Sequence, residues 1–195
     1  MHIARIERRT EEVKIDLELN IEGRGEFKIN TGIGFLNHML SLFTKHGLFD
    51  MKLTAKGDLE VDLHHTNEDV GIVLGEAFYD ILKEKRQIKR FGTSFICMDE
   101  ALVRCVVDIS GRSYLKIKPK NLRVKGENYT YSYFKQFLKA FIDHSKISLH
   151  LDILEGEDFH HILEACFKAL GVALKEAVSF EPRVKGLPTT KGKID

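Results

Sequence analysis

Two tracts carry residue types that hold metal ions: HHTNE at 64–68 and HHILE at 160–164. Each reads His-His-x-x-Glu. His64 lies four positions before Glu68 and His65 three, so on a helix their side chains share a face about one turn apart. Two imidazoles and a carboxylate from one helical turn suit a borderline divalent ion such as zinc, manganese or iron. His160, His161 and Glu164 repeat the pattern in the same register, and a second copy is hard to ascribe to chance histidines at helix starts.

The surrounding chain explains how such tracts are positioned. Residues 3–8 and 13–19 alternate apolar and polar, as half-buried strands do, and residues 26–29 pair back after a glycine-containing turn. Phe35, Leu36, Met39, Leu40 and Phe43 keep helical spacing, with Gly47 expected as the C-cap. Alternation returns at 48–56. The first tract then opens a helix carrying Val70, Val73, Leu74, Ala77, Phe78 and Ile81 on one face. Residues 93–110 contain strand-like runs, and 111–118 continue the sheet. Phe134, Phe137, Leu138, Phe141 and Ile142 mark a third helix, residues 147–154 a strand, and the second tract opens a long apolar-faced helix.

The halves overlay. Residues 36–53 parallel 134–151, 98 positions apart, while the tracts lie 96 apart, so the second intervening turn is shorter. The order helix, strand, HHxxE, helix is kept. This predicts one duplicated α+β domain over 1–195, with half-repeats at 1–90 and 91–180 and a tail at 181–195. The polar tail, with its Gly and Pro, is expected to be partly mobile. His38 is the first-half residue best placed as an extra ligand. Its counterpart is Gln136, whose carbonyl oxygen is a poor ligand for metals that prefer imidazole. By pattern, the first half's ligand set is complete and the second's is not; His144 and His150 stay open as alternatives to Gln136. His46 and His144 read as helix-end histidines that cap carbonyls.

Composition narrows the partners. The 195 residues carry 30 basic and 29 acidic side chains, which gives no global attraction to nucleic acid or anionic membrane. No apolar run approaches the roughly 20 residues that span a bilayer, and the first twelve residues lack a signal-peptide core. Cys97, Cys105 and Cys166 have no CxxC spacing and are expected to be buried free thiols in a reducing, cytoplasmic setting. Arg90, Arg112, Lys168 and Lys191 are candidates for an anionic group. Arg112 follows Gly111 at a strand end, where a fixed guanidinium grips phosphate bidentately. Lys168 stands four residues beyond Glu164, pointing toward the tract. The tail's PTTKG, with Thr189 and Lys191, resembles a phosphate cradle. Glu11 and Glu12 are possible proton shuttles, or solvated carboxylates at a strand start.

TGIGFLNHML, DLHHTNEDVGIVLGEA, KRFG, MDEAL, VVDISGRSYL, FHHILEACFKAL and LPTTKG follow one another in the order seen in the imidazoleglycerol-phosphate dehydratase family, which the chain resembles over nearly its whole length. The resemblance implies two duplicated halves, each a four-stranded sheet packed on two helices, as in domain 2 of ribosomal protein S5. It implies homo-oligomers, trimers assembled into a 24-subunit shell, with two Mn2+ ions per active site. The metal ligands it implies are His38, His64, His65, Glu68, His160, His161 and Glu164. Catalytic roles would fall to Glu12, His65, Asp99 and Glu164, with Glu12 as acid/base. Substrate would be held by Glu12, His38, Arg90, Arg112, Lys168, Thr189 and Lys191.

The implied reaction dehydrates D-erythro-imidazole-glycerol phosphate to imidazole-acetol phosphate in histidine biosynthesis. No carbonyl acidifies the carbon-bound proton, so a metal-stabilised imidazolate would supply the electrons that expel the hydroxyl. Two departures stand out: many members have His where this chain has Gln136, and Asp where it has Asn37. Two competing readings are a dimetal phosphoester hydrolase, which would release phosphate, and a metal-binding assembly protein without turnover.

Overall fold

The computed structural model describes residues 2–83, 87–186 and 188–190. The chain runs β1 (Ile3–Arg9), β2 (Val13–Asn20), β3 (Phe27–Asn30), α1 (Gly34–Gly47), β4 (Asp50–Gly57) and α2 (His64–Leu82). It then repeats the order with β5 (Phe91–Met98), β6 (Ala101–Asp108), β7 (Tyr114–Lys118), α3 (Tyr131–Ser145), β8 (Ser148–Glu155) and α4 (Phe159–Val178). The sheets have the same order, β1-β2-β4-β3 and β5-β6-β8-β7. In each, only the last pair is parallel, and a helix connects its two strands. The class is α+β, two four-stranded sheets each with two helices.

Alternation along β2 puts Val13, Ile15, Leu17 and Leu19 inward and Lys14 and Asp16 outward. β5 does the same, with Gly92 and Ser94 inward and Phe91, Thr93, Phe95 and Cys97 outward. Cys97 is therefore exposed, against the expectation of three buried thiols; Cys105 and Cys166 are buried.

The helices pair across the halves: α1 packs on α4, and α2 on α3. A Cβ at Gly75 of α2 would lie 2.5 Å from the Phe141 carbonyl of α3, and one at Gly171 of α4 would lie 2.5 Å from the Phe43 carbonyl of α1. Missing side chains there let the backbones close. Phe43, Phe49, Phe78 and Phe141 join the halves in one aromatic cluster, with Phe78 and Phe141 centroids 5.5 Å apart.

One local expectation changes. The left-handed cap of α1 is Leu48 (φ 53), while the side-chain-free Gly47 leaves room for the Phe49 ring. In the described part of the tail, Gln87 N–H donates to Gly186, Glu181 N–H to Gln87, and Arg90 Nη1 to the Pro188 carbonyl. Among the described residues, no helix is long and apolar enough to cross a membrane.

Candidate active site

Each tract begins its helix, and a carboxylate just before it anchors the turn. Asp62 Oδ1 accepts His64 N–H at 2.6 Å. Asp158, the N-cap of α4, accepts His160 N–H at 2.7 Å and His161 N–H at 3.1 Å. In α1, Asn37 Oδ1 accepts the Thr31 N–H and hydroxyl, at 2.8 and 2.7 Å, and so fixes the entry to the helix that presents His38.

The first histidine of each tract faces its glutamate: His64 Nε2 is 3.2 Å from Glu68 Oε2, and His160 Nε2 is 3.1 Å from Glu164 Oε1. The second histidine turns elsewhere, so the three residues of a tract do not converge on one point. His65 Nδ1 lies 2.9 Å from Asp58 Oδ2, and His161 Nδ1 lies 2.8 Å from Glu100 Oε2. A carboxylate only accepts, so Nδ1 carries the hydrogen in both rings and Nε2 is the remaining donor atom. These bonds raise the pKa of both imidazoles, and the His161 contact, with two backbone N–H groups, holds Glu100 at about 2.

Pairing of helices across the halves also crosses the ligand sets. His38 from the first half joins the second-half tract: its Nε2 is 2.9 Å from Glu164 Oε1. Ligand atoms of His38, His160 and Glu164 lie within 4.8 Å of one another. Burial pushes the Glu164 carboxyl up, but hydrogen bonds from Lys168 (2.6 Å) and His38 outweigh it and hold the group at about 2. It is ionised and ready to coordinate. An open groove of about 880 Å3, lined in part by Phe35, His38, Lys125, Tyr129 and His160, adjoins this cluster.

Gln136 joins the first-half tract instead, with Nε2 3.2 Å from His64 Nδ1. The set lacking a third imidazole is thus the one around His64 and Glu68, the reverse of what the linear overlay predicts. The overlay aligns positions, whereas α2 packs on α3. Of the alternatives to Gln136, His144 gives its Nδ1 to the Ala140 carbonyl at 2.9 Å, and His150 packs on Tyr114 with its side chain exposed.

A family model described as imidazoleglycerol-phosphate dehydratase matches residues 31–174. The chain belongs to the imidazoleglycerol-phosphate dehydratase family. A relative of that name from Thermoanaerobacter pseudethanolicus is 54% identical over 195 residues, covering 98% of this chain and 99% of its own length. One from Clostridium novyi is 50% identical over 187 residues, covering 96% and 95%. The crystal structure of the Staphylococcus aureus dehydratase superposes with a TM-score of 0.82 at 36% identity, over 91% of this chain and 99% of that one. The Pyrococcus furiosus protein in complex with (S)-C348 gives 0.81 at 38%, over 96% and 99%. An imidazoleglycerol-phosphate dehydratase removes water from its substrate, so the chain is a hydro-lyase.

For a dehydratase of a phosphorylated substrate, the basic residues matter next. Arg90, at φ 71, bonds Asp108 through Nε at 2.7 Å and Nη2 at 3.2 Å, and its Nη1 holds the Pro188 carbonyl at 2.9 Å. Its own carbonyl accepts from Ile109 at 3.1 Å, which brings it to the turn containing Arg112, while Pro188 brings Thr189. Lys191 lies outside the described residues. This group sits beside Ala177, since Arg90 N–H donates to the Ala177 carbonyl. The helix rises about 20 Å between Glu164 and Ala177. One chain therefore splits the basic candidates: Lys168 stands at the histidine cluster, and Arg90, Arg112 and Thr189 stand at the far end of α4.

Glu12 is exposed on the β1–β2 hairpin, 3.7 Å from His65 Nδ1. Asp99, at φ 47, stays 3.9 Å from His161 Nε2, and the neighbouring Glu100 makes the bond. His46 lies near Lys168 and Lys175; burial first, then their charges, lower its pKa. Sequence spacing missed Asp58 and Glu100, because both lie in turns where no periodicity points at a histidine.

Proposed function

We propose that this dehydratase converts D-erythro-imidazole-glycerol phosphate to imidazole-acetol phosphate in histidine biosynthesis, in the cytoplasm, using divalent metal. The observation that carries the metal dependence is the meeting of His38, His160 and Glu164 from opposite halves within 4.8 Å. Two imidazole nitrogens and an ionised carboxylate are a donor set that fits manganese, zinc or iron. The second set fits too: His64 and Glu68 face one another, and Gln136 Oε1 is buried without a hydrogen-bond partner, an amide oxygen available to an oxygen-accepting ion such as Mn2+. Divalent ions there, manganese by resemblance, would supply Lewis acidity that favours the deprotonated imidazole ring of the substrate and polarises its leaving hydroxyl.

The chain's own residues do the rest. Glu12, exposed on its hairpin, takes the carbon-bound proton. The hydroxyl departs as water, with the proton that Glu12 took balancing its loss, and the enol that remains tautomerises to the ketone. Lys168 keeps Glu164 ionised and adds a positive charge at the cluster. Arg90, Arg112, Thr189 and Lys191 hold the phosphate and so fix the three-carbon tail.

The basic group lies about 20 Å along α4 from Glu164, too far to serve the same small substrate within one chain. His65 and His161 likewise turn away from the ligand sets of their own tracts. A homo-oligomer in which one copy's basic group and outward histidine meet another's cluster removes both mismatches, in keeping with the 24-subunit assembly that the resemblance implies. Turnover of imidazoleglycerol phosphate tests the reading. We expect a ketone product with phosphate retained, loss of activity on chelation and recovery with Mn2+. Free phosphate would point to a hydrolase, and metal binding without turnover to a non-catalytic protein.

A further inference from the structure

The two outward histidines are held by carboxylates from different places in the repeat. Glu12 and Glu100 each immediately precede the second strand of their half, β2 and β6. In the second half Glu100 itself bonds His161 Nδ1, at 2.8 Å. In the first half the equivalent Glu12 stands off at 3.7 Å, and Asp58 takes His65 Nδ1 at 2.9 Å. Asp58 is the first residue after β4, and the first residue after β8 is Gly156, which has no side chain. The second half therefore has no Asp58 and uses its hairpin glutamate, whereas the first half has an added carboxylate and keeps its hairpin glutamate at ion-pair distance, without the hydrogen bond. The other Asp58 oxygen, Oδ1, is buried.

We propose that Asp58 is a positioning residue with two effects. It holds His65 by the Nδ1 hydrogen, which leaves Nε2 aimed outward as a metal donor. It also frees Glu12 from that duty, so that the glutamate can move a proton. Ligating histidines commonly give their other N–H to a carboxylate, and loss of such a partner costs about 10–100-fold in metal affinity or activity. The inference rests on His65 being a ligand and Glu12 the acid/base.

The test titrates the full-length assembled protein with Mn2+, following free Mn2+ by its paramagnetic resonance signal, for wild type, Asp58→Ala, Asp58→Asn, Glu12→Gln and His65→Ala. Asp58→Ala should weaken Mn2+ binding about 10–100-fold. Asp58→Asn should fall between, since its amide oxygen still accepts the Nδ1 hydrogen. Glu12→Gln should leave Mn2+ binding unchanged while lowering kcat without raising KM. Melting of the metal-free Asp58→Asn variant at the wild-type temperature shows that the fold is intact. If His65→Ala weakens binding and both Asp58 variants bind as wild type, the inference is overturned. If Glu12→Gln weakens binding as much as Asp58→Ala, the division of labour is overturned. If His65→Ala itself binds Mn2+ normally, the ligand role of His65 fails, and the inference with it.

Discussion

His38 Nε2 and Glu164 Oε1 lie 2.9 Å apart although 126 residues separate them in the chain. The contact exists because α1 packs on α4 across the duplication. Each candidate metal set is consequently built by both halves, and neither half carries a complete one.

Replacing His38 with Ala removes one of three converging donors. Manganese binding at that set should weaken at least tenfold, a change of about 1.4 kcal/mol. The ring also bonds the buried Glu164 carboxylate, so the metal-free protein should lose about 1 kcal/mol of stability as well. Calorimetric titration and denaturant melting measure the two quantities; undiminished metal affinity would remove His38 from the set.

Gln136→His restores a third imidazole beside His64 and Glu68. The variant should bind Zn2+ more tightly at one of its two sites, because imidazole suits zinc better than an amide oxygen does, and Mn2+, which takes oxygen donors readily, should gain less. An unchanged isotherm for both metals would show that Gln136 does not limit the site.

Acid should act on metal-free protein through Glu164. Its folded carboxyl is held at about 2, below its ordinary value of 4.5. A depressed carboxylate contributes stability that is fully present above its unfolded pKa and is lost as pH falls through the folded one. The loss in wild type should run from about pH 4.5 down toward 2. Lys168→Met removes the largest interaction holding the group down and leaves burial to push it up, so that variant should lose stability at a higher pH. Melting temperature against pH for the two proteins is the measurement, and superimposable curves would refute the coupling.

Gly171→Ala places a methyl group 2.5 Å from the Phe43 carbonyl, where α4 crosses α1. Overpacking of this kind costs about 1–3 kcal/mol. Metal affinity at the His38 set should fall together with stability, since the same helix contact brings His38 to Glu164. A variant with wild-type stability would mean the helices part without cost.

Much of this was legible in the sequence, for physical reasons. Alternation in VKIDLEL and the spacing of Phe134, Phe137, Leu138 and Phe141 report burial directly, so strands and helices could be read off. The duplication showed in the repeated tracts. What linear order hid was partnership. Gln136 aligns with His38 by position, yet packing sends them to opposite tracts. Asp58 and Glu100 act from turns, where contact depends on how strands end. Cys97 faces outward because β5 lies with one side of its sheet open, which composition does not reveal.

The central claim is that a working site needs one chain's histidine cluster and another chain's basic group. Co-expression of His38→Ala and Arg90→Ala subunits tests it most directly. Each variant alone should be nearly inactive, and mixed assemblies should recover dehydration of imidazoleglycerol phosphate, because some sites then combine an intact cluster with an intact arginine. Mixed assemblies no more active than the separate variants would contradict a site shared between copies.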